Sequence, residues 1–200
     1  MRQSLGRYVR SGYGGSATAT KRFGGTAQTA GVLYGALSPT ERGQISLPGG
    51  NLDVAVLSGR SANEVMDAVV EAVRPIDGTQ DAEASRVAIK EALAELLTKF
   101  PDAALLELSE AQRMFAVERY VAVDVFRRFS LDVGKTIQDK APTIKAGLVR
   151  LKEVRDYIKE TVSAAFKKVG SAASLTASKV AMLSSAALKE TFTVFESYAK

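Results

Sequence analysis

The chain has 200 residues, of which 46 % are hydrophobic and 24 % are charged, with 27 Lys and Arg against 22 Asp and Glu. It contains no cysteine and no histidine, which excludes disulfides, thiol nucleophiles, Ser-His-Asp triads and zinc sites built on Cys or His. Acid–base chemistry would have to use Asp, Glu, Lys or Tyr, and the composition does not exclude carboxylate-bound magnesium. We therefore expect a protein that is not an enzyme, with no catalytic residues, no metal and no cofactor.

No apolar run approaches the ~20 residues that span a bilayer. The N-terminus is basic but lacks the apolar segment of a signal peptide. These features predict a cytoplasmic protein that does not act at a membrane.

The charge is unevenly distributed along the chain. Residues 1–60 hold 7 Lys and Arg against 2 Asp and Glu, residues 61–140 hold 10 against 15, and residues 141–200 hold 10 against 5. The basic ends could fold against the acidic middle, which is the simpler interpretation, or they could face an acidic partner.

The first 60 residues form a glycine-rich basic segment that contains 12 of the 16 glycines. Helices are still plausible at 2–11, 16–23 and 26–37. The small residues of the last helix would let a neighbouring backbone approach closely; they are Ala27, Ala30, Gly31 and Gly35. Residues 38–58 are predicted to be a loop, with a turn of helix or a brief strand in the apolar run 52–57.

Residues 61–200 are predicted to form a helical bundle. Ser61 and Glu64 form a capping box, and the helix that follows ends before Pro75. A second helix covers about 80–99. A third begins with a second capping box at Ser109 and Gln112 and continues to about 138; it is apolar nearly all round between residues 114 and 126, so it should be central.

Two more long helices complete the predicted all-α fold. The fourth begins at Pro142 and carries apolar residues at spacings of 3 and 4, namely Leu148, Leu151, Val154, Ile158, Val162, Ala165 and Val169. We interpret this seam as a core face. Gly170-Ser171 should break the helix, and the fifth helix should cover about 174–198. The fold class is thus a bundle of long helices preceded by a glycine-rich segment of short helices and loop.

Three sequence features resemble catalytic or ligand-binding motifs. Gly134-Lys135-Thr136 resembles the end of a phosphate-binding loop, but it lacks the earlier glycine and follows a helix instead of a strand. The run Gly12-Tyr13-Gly14-Gly15-Ser16 is best interpreted as a break between two short helices, with a docking loop as the alternative. Asp124, Glu118 and Asp132 are expected to be buried or half-buried ion-pair members with Arg119, Arg127 and Arg128.

Several runs along nearly the whole chain carry a resemblance to a known family. They are 5–16, Arg22-Phe23-Gly24-Gly25-Thr26-Ala27, Gly31-Val32-Leu33-Tyr34, 59–64, Glu118-Arg119-Tyr120-Val121, 124–128 and 151–157. In these runs the chain resembles the QatB component of the Qat anti-phage defence system. The resemblance implies a binding partner, and a candidate protein substrate, of a 7-cyano-7-deazaguanine synthase-like protein of the same operon. It also implies an ATPase and a TatD-like nuclease as further components.

The leading hypothesis is therefore a helical adaptor in an anti-phage complex. Its docking element would be residues 1–37, and the residues predicted to bind the partner are Arg7, Tyr8, Arg10, Tyr13, Lys21, Arg22 and Phe23. The alternative is a nucleic-acid-binding module whose phosphate contacts would be Arg2, Arg7, Arg10, Lys21 and Arg22. A third hypothesis is an enzyme with a carboxylate–lysine site at Asp124.

Overall fold

A computed structural model of the chain describes residues 2–169 and 175–199. These residues form nine α-helices and no β-strand, which confirms the predicted all-α fold. The helices are α1 (Arg2–Arg7), α2 (Ser16–Arg22), α3 (Gly24–Ala36), α4 (Val54–Leu57), α5 (Ala62–Val73), α6 (Gln80–Lys99), α7 (Glu110–Asp139), α8 (Ile144–Val169) and α9 (Ala177–Glu196). A π-helical turn, Tyr8–Gly12, continues α1.

Four helices, α3, α7, α8 and α9, contact one another in a closed ring. Helix α3 packs against α7 and α9, and α8 packs against the same two helices. Helix α6 packs along α7, and α5 contacts both α3 and α6. Buried side chains from every helix except α4 belong to one hydrophobic cluster. Helix α3, which belongs to the glycine-rich segment by composition, is thus one wall of the bundle. The division at residue 60 stays a prediction from composition.

Helix α7 occupies the centre of the fold, as its apolar composition predicted. All residues of Tyr120–Val125 are buried, which requires cover on every side of the helix. Helices α3, α6 and α8 provide this cover. The sequence Gly134-Lys135-Thr136 lies inside α7 and no strand precedes it in the described ranges, so it is not a phosphate-binding loop.

Helices α3 and α9 approach closely at the predicted small residues. A Cβ atom on Gly31 would lie 2.5 Å from the Ala177 carbonyl oxygen and 2.9 Å from the Ala181 Cβ. A Cβ on Gly35 would lie 3.2 Å from the Ala177 Cβ. Glycine is therefore required at Gly31 by the contact with α9.

Both predicted capping boxes form. Ser61 accepts from the Glu64 N–H while the Glu64 carboxylate accepts from the Ser61 N–H, and Ser109 and Gln112 repeat the pattern. The apolar run 52–57 becomes the short helix α4, capped by Asp53. None of the helices in the two described ranges is long and apolar enough to cross a membrane.

The predicted seam of α8 is only partly buried. Val154, Ile158, Val162 and Ala165 are buried, but Leu148 is 55 % exposed. Between residues 131 and 153 the only buried residues are Gly134 and Gly147, because there the end of α7 and the start of α8 form a hairpin that few other elements cover. The expectation that Leu148 lies in the core was wrong. The break predicted at Gly170-Ser171 lies outside the described residues.

Candidate functional site

A cavity of about 960 Å³ lies between the N-terminal helices and the α7–α8 hairpin. Its N-terminal wall contains Arg7, Tyr8 and Tyr13, with Arg22 from α2. Helix α7 contributes Asp132, Val133, Ile137 and the adjoining Lys140, and α8 contributes Arg150, Glu153 and Val154. Residues far apart in the sequence thus meet at one concave surface, which we call the hairpin cavity.

Two tyrosines and one carboxylate link the opposite walls of the hairpin cavity. The Tyr8 hydroxyl donates to Asp132 Oδ2 over 3.0 Å, and the Tyr13 hydroxyl donates to the same oxygen over 3.3 Å. The two rings meet edge to face, and Tyr8 packs in the same way on Phe129. Burial raises the pKa of both tyrosines, and Asp132 raises them further. Both hydroxyls therefore stay protonated and hold the Asp132 carboxylate in place.

This arrangement corrects the expectation for Asp132. The side chain is exposed, and its partners are tyrosines instead of arginines. Of the other two carboxylates, Asp124 pairs with Arg128 at 3.1 Å as expected, and Glu118 lies 3.8 Å from Arg119.

Cationic side chains outnumber carboxylates in the lining of the hairpin cavity. Arg7, Arg22, Lys140 and Arg150 line it, and none of them forms an ion pair within the described residues. The Arg22 guanidinium lies 5.2 Å from the Tyr13 ring centroid, and Arg150 donates to the Lys140 carbonyl over 3.4 Å. These contacts orient the two arginines without neutralising them.

The acidic middle of the chain is paired elsewhere. Glu91 of α6 pairs with Arg127 and Arg155, and Glu95 pairs with Arg155 and Lys159. These two carboxylates of α6 are thus neutralised by basic residues of α7 and α8. The N-terminal basic residues do not take part in this network.

The N-terminal wall is fixed to the end of α9. The Ser16 N–H donates to Glu196 Oε2 over 3.0 Å, and Arg10 donates to the Ala199 carbonyl over 3.3 Å. Hydrogen bonds from Ser16 lower the pKa of Glu196, so the acceptor is ionised at neutral pH. Gly15 has φ +107°, a conformation that favours glycine and allows the chain to turn from the π-helical turn into α2. The predicted break at 12–16 is therefore confirmed.

A smaller cavity of about 280 Å³ adjoins the first. It shares Tyr13, Arg22 and Asp132 with the hairpin cavity and adds Asp81 and Arg128, which pair at 2.8 Å. The concave surface therefore continues on both sides of the Tyr13–Asp132 contact.

The predicted partner-binding residues fall into three groups. Arg7, Tyr8, Tyr13 and Arg22 line the hairpin cavity. Arg10 and Lys21 are exposed on the same N-terminal elements but do not line it. Phe23 is fully buried against Phe192, and Tyr8 is 6 % exposed, so these two rings support the surface from beneath.

Sequence reasoning missed the contribution of the hairpin. Asp132, Lys140 and Arg150 lie more than a hundred residues from Tyr13, and no local motif marks them. Helical spacing gave no signal either, because Arg128 lies four residues before Asp132 and Glu153 lies three residues after Arg150, which predicts ion pairs within each helix.

Asp124, the residue singled out for possible chemistry, occupies a buried polar contact. It accepts from Thr26 Oγ1 over 2.6 Å and from Arg128 Nε over 3.1 Å. Burial raises the pKa of Asp124, while Arg128 and Thr26 oppose that shift. Its partners join α3 to α7 and do not open to a cavity shared with lysine. Across the described ranges, no three His, Cys, Asp or Glu side chains are grouped in a way that could hold a metal ion.

Comparison with protein-family models places the chain in a known family. The family model described as "Qat anti-phage system associated protein QatB" matches residues 14–195. No curated protein and no solved structure matched the chain. Since the family model covers most of the 200 residues, including α2, α3 and the whole α7–α8 hairpin, the chain belongs to the QatB family of Qat anti-phage system associated proteins.

Proposed function

We propose that this chain is a non-catalytic adaptor of the Qat anti-phage system that binds the 7-cyano-7-deazaguanine synthase-like component. Family membership supports a role in defence. The proposed partner is the one that the sequence resemblance implied. The ATPase and the TatD-like nuclease of the same system would join through this pair or through other surfaces.

The observation that carries the proposal is the set of unpaired cations around the hairpin cavity. Arg7, Arg22, Lys140 and Arg150 face a concave surface, while the acidic residues of α6 are already paired within the fold. Unpaired charges around a concavity favour a partner of opposite charge and speed its association. Most of the seven predicted partner-binding residues are at or beside this surface.

Co-purification with charge-reversed variants tests the proposal. We expect the wild-type chain to retain the synthase-like component, and the double variant Arg7→Glu/Arg22→Glu to lose it. Lys189→Glu is the matched control, because Lys189 is exposed on α9 and does not line the cavity. Failure of the wild-type chain to retain the component would refute the proposal.

A nucleic-acid-binding module is the second candidate, favoured by the same unpaired cations. It predicts affinity for DNA or RNA that falls steeply with salt, by about one counterion per neutralised phosphate. The carboxylates of Asp132 and Glu153 in the same lining are acceptors for which a phosphate backbone has no donor, whereas a polypeptide has backbone N–H groups, and this favours a protein partner. Salt titration of single-stranded and duplex probes separates the two candidates.

A further inference from the structure

We infer that the hairpin cavity binds an acidic peptide segment with an apolar side chain, contributed by the partner. This inference rests on the proposed function and names the chemistry that the partner must present. It differs from a general basic docking face in requiring one short segment to enter the concave surface.

The excess of cationic side chains in the lining favours an acidic segment. Four cations and two carboxylates line the hairpin cavity, so an occupant with an excess of carboxylates is favoured. Arg22 and Arg150 are already oriented by Tyr13 and by the Lys140 carbonyl, which lowers the entropy lost when they pair with a ligand. Their guanidinium groups can receive carboxylates in two-pronged hydrogen bonds.

An apolar strip on the hairpin favours an apolar side chain in the same segment. Val133 and Ile137 are one helical turn apart on α7, are only half-buried, and both line the cavity. Such a strip leaves room for one apolar anchor between the basic residues. A nucleic-acid backbone has no group that would fill it.

The Asp132 carboxylate supplies a hydrogen-bond acceptor for a peptide backbone. Both tyrosine hydroxyls bind Oδ2, and no ion pair within the described part of the chain neutralises the group. A backbone N–H is the donor that every peptide offers at this position. A phosphate or a carboxylate offers none, so Asp132 discriminates against a bare anion.

The size of the concave surface fits a peptide segment. The hairpin cavity measures about 960 Å³ and continues past Tyr13 into the adjoining 280 Å³ cavity. The larger volume lies at the upper end of the ~300–1,000 Å³ found for small-ligand pockets. At ~3.3 Å per residue, a few residues of extended chain would cross such a surface.

The test uses overlapping short synthetic peptides that span the synthase-like component, titrated against the full chain by fluorescence anisotropy. We expect binding of a peptide that carries several carboxylates beside an apolar residue. Arg150→Glu should weaken that binding about tenfold or more, which corresponds to ~1.4 kcal/mol. Ile137→Ser should also weaken it without changing the charge, and Lys189→Glu should leave it unchanged. The exposure of Arg150 and Lys189 makes misfolding of these two variants unexpected, and circular dichroism checks all three.

The outcomes separate this inference from the proposed function. Peptide binding that is indifferent to Arg150→Glu and Ile137→Ser overturns the hairpin cavity as the site. Co-purification of the intact component without binding of any peptide overturns the peptide segment but leaves the adaptor function standing. Absence of co-purification, together with salt-dependent nucleic-acid binding lost in Arg150→Glu, overturns both.

Discussion

Asp124 is the buried carboxylate that joins α3 to α7. It accepts from Thr26 and Arg128, and Arg128 also lies over the Phe23 ring. Asp124→Ala would leave the largely buried Arg128 with only the exposed Asp81 as a partner, so we expect a loss of about 3 kcal/mol in the free energy of unfolding. Urea unfolding measures this loss. Asp139→Ala, at the exposed end of α7, serves as the control and should change stability little; equal effects would contradict the argument.

The pH dependence of stability gives a second test at Asp124. Because burial raises its pKa above the usual 3.8, the folded chain binds its proton more tightly than the unfolded chain does. The contribution of Asp124 to the free energy of unfolding is therefore highest below pH 3.8 and falls as pH rises through the folded-state pKa. Asn does not titrate, so the stability of the wild type relative to Asp124→Asn should decline across this window. Urea unfolding at several pH values checks the sign.

The comparison of the wild type with Asp124→Asn cancels the opposite pH dependence that other carboxylates give to the free energy of unfolding. Hydrogen bonds lower the pKa of Glu64, Asp77 and Glu196, so their stabilising contributions are lost as pH falls. These groups are present in both proteins and cancel in the difference. A difference that does not vary with pH would show that Asp124 has the same pKa in the folded and unfolded chains.

At the scale of elements, the contact between α3 and α9 depends on Gly31. A methyl group there would clash with the Ala177 carbonyl and the Ala181 Cβ, so the two helices would have to move apart. We expect Gly31→Ala to destabilise the fold by about 1–3 kcal/mol. Gly25→Ala, on the exposed first turn of the same helix, meets no atom within 4 Å and should be neutral or slightly stabilising. Thermal unfolding of both variants compares them, and similar melting temperatures would refute the close-contact argument.

Most helices could be predicted from the sequence, whereas the contacts between them could not. Capping boxes at Ser61 and Ser109 set two helix starts, and the all-round apolar surface of α7 predicted its central place, because both signals are local. A close approach of another backbone at Gly31 was predicted, but the sequence did not indicate that α9 makes this contact. The exposure of Leu148 and the tyrosine partners of Asp132 depend on where other elements end, which spacing along one helix does not encode.

At the scale of the whole molecule, the two basic ends of the chain differ in their ion pairs with the acidic middle. The basic C-terminal third pairs with α6 through Arg155 and Lys159, as self-complementarity predicted. The basic residues of α1 and α2 form no such pairs within the described residues, because these two helices pack near α9 and the hairpin cavity. The ion pairs of Arg155 and Lys159 thus agree with self-complementarity at the C-terminal end, while an acidic partner for the N-terminal end stays a prediction.

The place of the N-terminal segment in the core leads to a prediction about the whole chain. Deleting residues 1–37 would remove α1, α2 and α3, and with α3 one wall of the four-helix ring. Leu33, Tyr34 and Phe23 are fully buried, and their loss would expose the apolar faces of α7 and α9. We expect the intact chain to unfold in a single cooperative transition and the truncated chain to show none. Calorimetry and near-ultraviolet circular dichroism measure both. A truncated chain that still melts cooperatively would mean that residues 38–200 fold without α3 and that residues 1–37 are an appendage. In that case residues 1–37 would be a separate docking element. The hairpin cavity, whose walls come from both this segment and the α7–α8 hairpin, would then not be the docking surface.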